Sequence, residues 1–375
     1  MHIMAKRLIE TDILSSGMLD KFTAVLIADS SSWDIPEGMK WIFPGSGGAA
    51  SEANCKIQFC YDYKTGEPKI LEETKGKLPD QKYARILPSI AKKGALFIFD
   101  LGYWAFDVLN NITLKNAFFL CRLNTQVNLW ADEDGKFVKV NLSEWLGKQM
   151  FSAVETNVLL KNKHSVALPI RLVALRMPEE AANLRRMKLR KNAKKEGYTP
   201  STKALAFCDW SIFITNANKE MVPGEMIRTY YRIRWNVELI FKSWKGVLKI
   251  HQTNVIKNSN RFKCELYAKL ILVVIIQKLY LCIHSFMWRR ERRELSLDKF
   301  WKYIDSNKQK LHERIIEGCD RFCKFINSEM EYIQKICEKY HQNNRKSSLQ
   351  MLDEMISDSV PVKVKIELAD EELVA

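Results

Sequence analysis

The sequence predicts an α/β protein: a mixed sheet flanked by helices, interrupted by a mainly β insertion and followed by a helical C-terminal region. Three observations carry that expectation. The apolar runs FTAVLIAD and GALFIFD read as buried strands, each closing on an aspartate, Asp29 and Asp100. From about Pro223 to Ile250 there is no internal proline, and Ile227, Tyr230, Ile233, Val237 and Ile240 recur at the spacing of one amphipathic helix. Between Asp100 and Glu238, on that helix, lies far more chain than one crossover requires, so a folded segment is inserted.

Element by element, SEANCKIQFCYDYKTGEPKI predicts two strands around a Lys-Thr-Gly turn, and NAFFLCRLN another strand. Residues 1–123 then form the first part of the core. Residues 124–208 are the insertion: VNLWADEDGKFVKVNL reads as a hairpin around Asp134-Gly135, and HSVALPIRLVALRM as further strands. The insertion also holds the basic run RRMKLRKNAKK from Arg185 to Lys195, which is either a solvated helix face or a surface lying along DNA or a second subunit. Residues 209–258 return to the core through SIFITN and the Glu238 helix. Residues 259–345 are helical: CELYAKLILVVIIQKLYLCIHSFMW is apolar nearly all round, as a central bundle helix would be, and an amphipathic helix pair follows from about Leu297 to Tyr340. Residues 346–375 form a Ser-rich, acidic, peripheral tail.

The chain of 375 residues carries 59 Lys and Arg against 44 Asp and Glu, a net charge of +15. That excess suits a polyanion, because neutralising phosphates releases condensed counterions. No signal peptide is visible, and the longest apolar run, Leu270 to Ile276, is far shorter than the ~20 residues that cross a bilayer. The expectation is a cytoplasmic protein with no membrane partner. Nine cysteines, an odd number scattered along the chain, do not form a disulfide framework. Cys319, Cys323, Cys337 and His341 could in principle bind zinc, but spacing by four on a helix also places cysteines on one buried stripe. There is no internal repeat and no Gly-rich nucleotide loop.

The stretch YYRIRWNVELIFKSWK holds Tyr231, Arg234, Glu238 and Lys245 in the spacing Y-x2-R-x3-E-x6-K. On a regular helix these four fall within a stripe roughly 60° wide at about 100° per residue. A carboxylate thus stands among three groups able to hold phosphate, although Arg234 and Glu238 also form an i, i+4 pair of the kind that decorates exposed helices. Each aspartate read alone is equally a strand-end or turn residue. Asp34 and Asp107 are the nearest competitors, and neither follows an apolar strand directly.

This spacing resembles the Y-R-E-K signature of bacterial insertion-sequence transposases of the DDE type, the family numbered four. The resemblance runs from about Phe22 to His251, and the segments around Asp29 and Asp100 resemble those around the family's two catalytic aspartates. It implies an RNase H-like fold with an all-β insertion, and a catalytic triad of Asp29, Asp100 and Glu238 holding Mg²⁺, with Mn²⁺ as the alternative. Tyr231 and Arg234 would contact phosphates of the transposon end, Lys245 would grip the strand near the cleavage point, and Trp210 would stack a flipped base unless it is a core residue. The implied function is metal-dependent cleavage at transposon ends and strand transfer into target DNA by a homodimer on DNA.

One departure stands out. Larger relatives carry an N-terminal helical domain that recognises the element's end, whereas only about 28 residues precede Asp29. Either end recognition falls to the insertion and C-terminal regions, or upstream sequence is missing, or the chain is a partial copy. The competing functions are a shortened, non-catalytic DNA-binding or dimerising inhibitor and another RNase H-like nuclease.

Overall fold

The computed structural model describes residue 14 and residues 17–47, 50–162, 166–340 and 346–357. In chain order its strands and longer helices are β1 (Val25–Asp34), β2 (Asn54–Asp62), β3 (Pro68–Lys75), β4 (Leu96–Phe99), α1 (Phe106–Leu114), β5 (Phe118–Arg122), β6 (Leu129–Glu133), β7 (Lys136–Val140), α2 (Leu142–Gly147), β8 (Ala153–Lys161), β9 (Ala167–Arg176), α3 (Glu179–Lys195), α4 (Thr202–Phe207) and β10 (Trp210–Thr215). The rest is helical: α5 (Ile227–Arg232), α6 (Trp235–Gly246), α7 (Ser259–Glu291), α8 (Leu297–Ser306), α9 (Lys308–Ile316), α10 (Cys319–Cys337) and α11 (Ser348–Ser357). The protein is α/β. Two compact units divide it, one of residues up to Tyr83 with Arg232–Ile356, the other beginning at Ala84 and including everything to Tyr231.

In the first unit β1, β2 and β3 form an antiparallel meander. Val25, Leu26, Ile27 and Ala28 are buried, as the apolar run predicts. The strand does not end at Asp29, however. Residues 29–34 stay paired with residues 59–54 of β2, so Asp29 sits in mid-strand opposite Phe59. Ladder hydrogen bonds, not hydropathy, set a strand's end, and half-buried Ser30 and Ser31 and exposed Ser32 continue the ladder without apolar side chains. The turn from β2 to β3 needs Gly66. Its φ is +63°, and a Cβ there would lie 1.5 Å from Leu281 Cδ1.

The single helix expected from Pro223 to Ile250 is two helices, interrupted at Ile233 and Arg234. Backbone bonds tighten to i→i−3 there: Asn236 N donates to Ile233 O at 3.0 Å and Val237 N to Arg234 O at 3.1 Å. The Asn236 side chain also donates to Ile233 O, at 2.8 Å. No proline or glycine announces this break. Beyond it, α6 buries Val237, Ile240, Phe241 and Trp244. The rings of Phe241 and Trp244 lie 6.0 and 5.0 Å from that of Phe59. Cross-strand partners share a sheet face, so Asp29 lies on the face that α6 covers.

The 33-residue α7 starts at Asn258, whose side chain accepts from Arg261 N, and stops at Arg292 in the left-handed region. It is long and apolar enough to cross a membrane, which the shorter uninterrupted run did not suggest. More than half of its most apolar window is nevertheless buried inside the protein, as in a core helix. It is not buried all round: Tyr267, Ile271, Leu272 and Ile275 are exposed along one side. The expected helix pair from Leu297 to Tyr340 is three helices, divided at Asn307 and at Gly318, whose φ of +105° no ordinary helix accommodates. Part of the expected tail forms α11, and its last residues, 358–375, lie outside those described.

In the second unit β4 and β5 are parallel and joined through α1. β10 runs antiparallel to β5 and to β9, and β8, β6 and β7 follow in antiparallel order. Every residue of β10 is buried. The β6–β7 hairpin turns at Asp134 (φ +52°) and Gly135 (φ +80°), the two positive values a type I′ turn requires. Residues 124–208 are mixed rather than mainly β, since α2, α3 and α4 accompany four strands. The basic run is made of strong helix formers, and α3 anchors itself through buried Ala181, Ala182 and Ala193. Buried Arg171 donates to the carbonyls of Ala217 at 3.2 Å, Asn218 at 3.3 Å and Val222, which fixes the loop leading toward α5.

Candidate active site

In the first unit the signature residues meet β1. Arg234 Nη1 donates to Asp29 Oδ2 at 3.2 Å, and Nη2 donates to Glu238 Oε1 at 2.5 Å. The guanidinium therefore bridges a strand carboxylate and a helix carboxylate, the latter one turn away on α6. The Arg234 side chain is 10% exposed, against 20% for Asp29 and 32% for Glu238, so the cation is enclosed while both acids still reach solvent. Asp29 Oδ1 also accepts from Ser30 N at 2.8 Å. Lys245, three turns along, donates from Nζ to the Ser32 carbonyl at 2.9 Å and lies 5.9 Å from the Trp33 ring centroid. Burial lowers its pKa below the ordinary lysine value.

In the second unit Asp100 directly follows β4, and Tyr231 Oη donates to its Oδ1 at 3.1 Å. Tyr231 is 3% exposed, with Phe213 5.2 Å away between ring centroids and the Arg122 guanidinium 5.4 Å above its ring. Trp210 begins β10 and is 6% exposed, but its ring is not simply core. It lines a cleft of about 230 Å³ with Ser143, Phe207 and Arg176, whose guanidinium lies 4.8 Å from the indole. Arg122 and Arg176 were missed in the sequence. Each is the last residue of its strand, a position with no signal of its own.

The competing aspartates have structural partners: Asp34 accepts from Asn54 Nδ2 at 2.9 Å, and Asp107 pairs with Arg85 at 2.7 Å. Cys319, Cys323 and Cys337 lie on α10, two of them buried, and the Sγ atoms of Cys319 and Cys323 are 3.9 Å apart. His341 lies outside the described residues. Among the described residues no three His, Cys, Asp or Glu side chains stand together as a ready metal site. What does fit a hard cation is the Asp29–Glu238 pair, two oxygen donors that already share one positive charge.

Paired acids bridged by an arginine suit phosphodiester chemistry, and an α/β protein so equipped and so basic falls among the enzymes that cut and join DNA. The chain belongs to the Transposase DDE domain family, whose sequence model matches residues 20–275. It is 26% identical to the transposase for insertion sequence element IS231E of Bacillus thuringiensis subsp. finitimus, over 93% of this chain and 76% of that one. The IS231B transposase of B. thuringiensis subsp. berliner is also 26% identical, over 91% and 74%. The transposase for IS1151 of Clostridium perfringens is 24% identical, over 88% and 72%. The protein is thus a DNA transposase, and a domain of this kind implies dependence on a divalent metal.

Proposed function

We propose that Asp29, Asp100 and Glu238 are the catalytic carboxylates of strand cleavage at transposon ends and of strand transfer into target DNA, on an RNase H-like core formed by residues 1–123 and 209–258. The observation that carries this reading is the Arg234 bridge between Asp29 and Glu238, which joins the first aspartate to the signature helix. A divalent cation, Mg²⁺ with Mn²⁺ as the alternative, would be held by the three carboxylates and would supply charge stabilisation for in-line phosphodiester displacement.

The chain's own side chains do the positioning. Tyr231 fixes one oxygen of Asp100 through its hydroxyl, and Arg122 over its ring keeps positive charge beside that pair. Arg234 presents a planar fork that matches a phosphate as well as it matches carboxylates, so arriving end DNA competes for it. Lys245 has ammonium protons beyond the one given to Ser32 O and serves as a point charge on the cleaved strand. Trp210 stacks an unpaired base in its cleft, with Arg176 offering a phosphate contact. The active form is a homodimer on paired ends, in the cytoplasm.

The test is cleavage of element-end DNA by purified protein. Asp100→Asn should abolish cutting while still shifting end DNA on a gel, and retained cutting removes Asp100 from the mechanism.

A further inference from the structure

The basic run of α3 has two faces. Ala181, Ala182 and Ala193 are buried, Arg185 donates to Trp210 O at 3.2 Å and to Ser211 Oγ at 3.1 Å, and Arg186 pairs with Asp209. These contacts fasten one side of the helix to the β10 end of its unit. At about 100° per residue, Lys191, Lys194 and Lys195 fall on the opposite side together with Leu184 and Met187, and Lys188 and Arg190 stand on its two flanks. The five cations are exposed, as are Leu184 and Met187. Among the described residues none of the five forms an ion pair, and the helix's only acids, Glu179 and Glu180, are confined to its first turn.

An ordinary solvated helix interleaves charges of both signs along its exposed face. This face is cationic over about the last two turns of a helix 17 residues long, about 25 Å at 1.5 Å per residue. Lysine dominates it. Lysine is a flexible point charge suited to phosphate rather than to the bidentate reading of base edges.

We propose that this outer face of α3 is a second DNA contact, separate from the signature residues, that lies along the phosphate backbone of duplex DNA without reading sequence. It rests on DNA being the substrate and adds where, and by what chemistry, a duplex is held. Mobile lysines each neutralise a phosphate, and Leu184 and Met187 cover the sugar edge between them.

The test measures affinity of the full chain for a random-sequence duplex between 50 and 200 mM salt. With Lys188, Lys191, Lys194 and Lys195 all changed to Gln, the slope of log affinity against log salt should flatten by about 3.6, near 0.9 for each lost phosphate contact. A control changing exposed Lys115, Lys310, Lys324 and Lys335 to Gln removes equal charge elsewhere and should flatten it by less than 1. An unchanged slope in the α3 variant overturns the proposal, and so does equal flattening in the control, which would mean net charge alone. A variant that binds DNA normally but changes the protein's oligomeric mass also overturns it, because the face is then a subunit contact. Cleavage of end DNA by the wild-type chain is scored in parallel. Its failure would count against the catalytic assignment and leave the slope comparison standing by itself.

Discussion

Replacing Arg234 with Gln removes the charge that holds Asp29 and Glu238 together. Deleting one partner of a fully buried ion pair costs about 3–5 kcal/mol, because the remaining charge is desolvated and uncompensated. Here the two carboxylates are 20% and 32% exposed, so water recovers part of that cost. Between the buried and the exposed limits, a loss of about 1–3 kcal/mol is expected. For a unit of this size that lowers the unfolding midpoint by about 2–12 °C. On the proposed assignment of Asp29 and Glu238 as metal ligands, magnesium should behave differently in the two proteins. In Arg234→Gln the acids are free for the ion, and at 100 times its Kd the ion stabilises the fold by about 2.7 kcal/mol. In the wild type the ion must first displace the guanidinium, so the same concentration raises the midpoint less. Thermal unfolding with and without MgCl₂ reads both effects. An unchanged midpoint in Arg234→Gln, or equal magnesium increments in both proteins, would refute the reasoning.

Three further outcomes follow from the same structure. Tyr231→Phe keeps the ring packed but loses the bond to Asp100, costing about 1 kcal/mol in stability. That loss should shrink in an Asp100→Ala background, and an equal loss there in denaturant titration would show that the Tyr231 hydroxyl acts elsewhere. Gly66→Ala meets Leu281 at a positive φ and should destabilise by at least about 1–3 kcal/mol, with Leu281→Ala restoring part of it in denaturant titration. Burial holds His284 at a pKa of about 4, with its Nδ1 accepting from Leu295 N, while Glu294 opposes the shift and Lys339 reinforces it. The unfolded chain takes up this proton near pH 6.5 and the folded one only near pH 4. Stability should therefore fall as pH drops through that window, by about 3 kcal/mol at most. His284→Asn should flatten that limb, and an unchanged limb would exclude His284 as its source.

Local features were legible. The apolar run before Asp29, the Asp134-Gly135 turn and the helical pattern around Glu238 depend on near neighbours and on backbone sterics, and β1, the β6–β7 hairpin and α6 carry them. The misreadings share one cause. β1 continues past its apolar run because β2 is long enough to pair with it. The signature helix breaks at Ile233 through tightened backbone bonds and an asparagine side chain, which hydropathy does not register. Asn307 and Gly318 divided a helical pattern that looked continuous over its apolar positions. Arg122 and Arg176 gain significance only from the rings beneath them.

By itself, then, the chain's order of residues determined its α/β character, its excess of positive charge, its turn chemistry and the family to which it belongs, because these depend on composition and on contacts a few positions apart. Only the tertiary structure decided that Arg234 spans 205 positions to reach Asp29, and Tyr231 131 positions to reach Asp100. Such bonds are made at about 3 Å, and no spacing rule along a chain carries that information. Strand register and helix packing bring the groups within reach, and burial of the Arg234 guanidinium makes its bridge stronger than a surface pair in water.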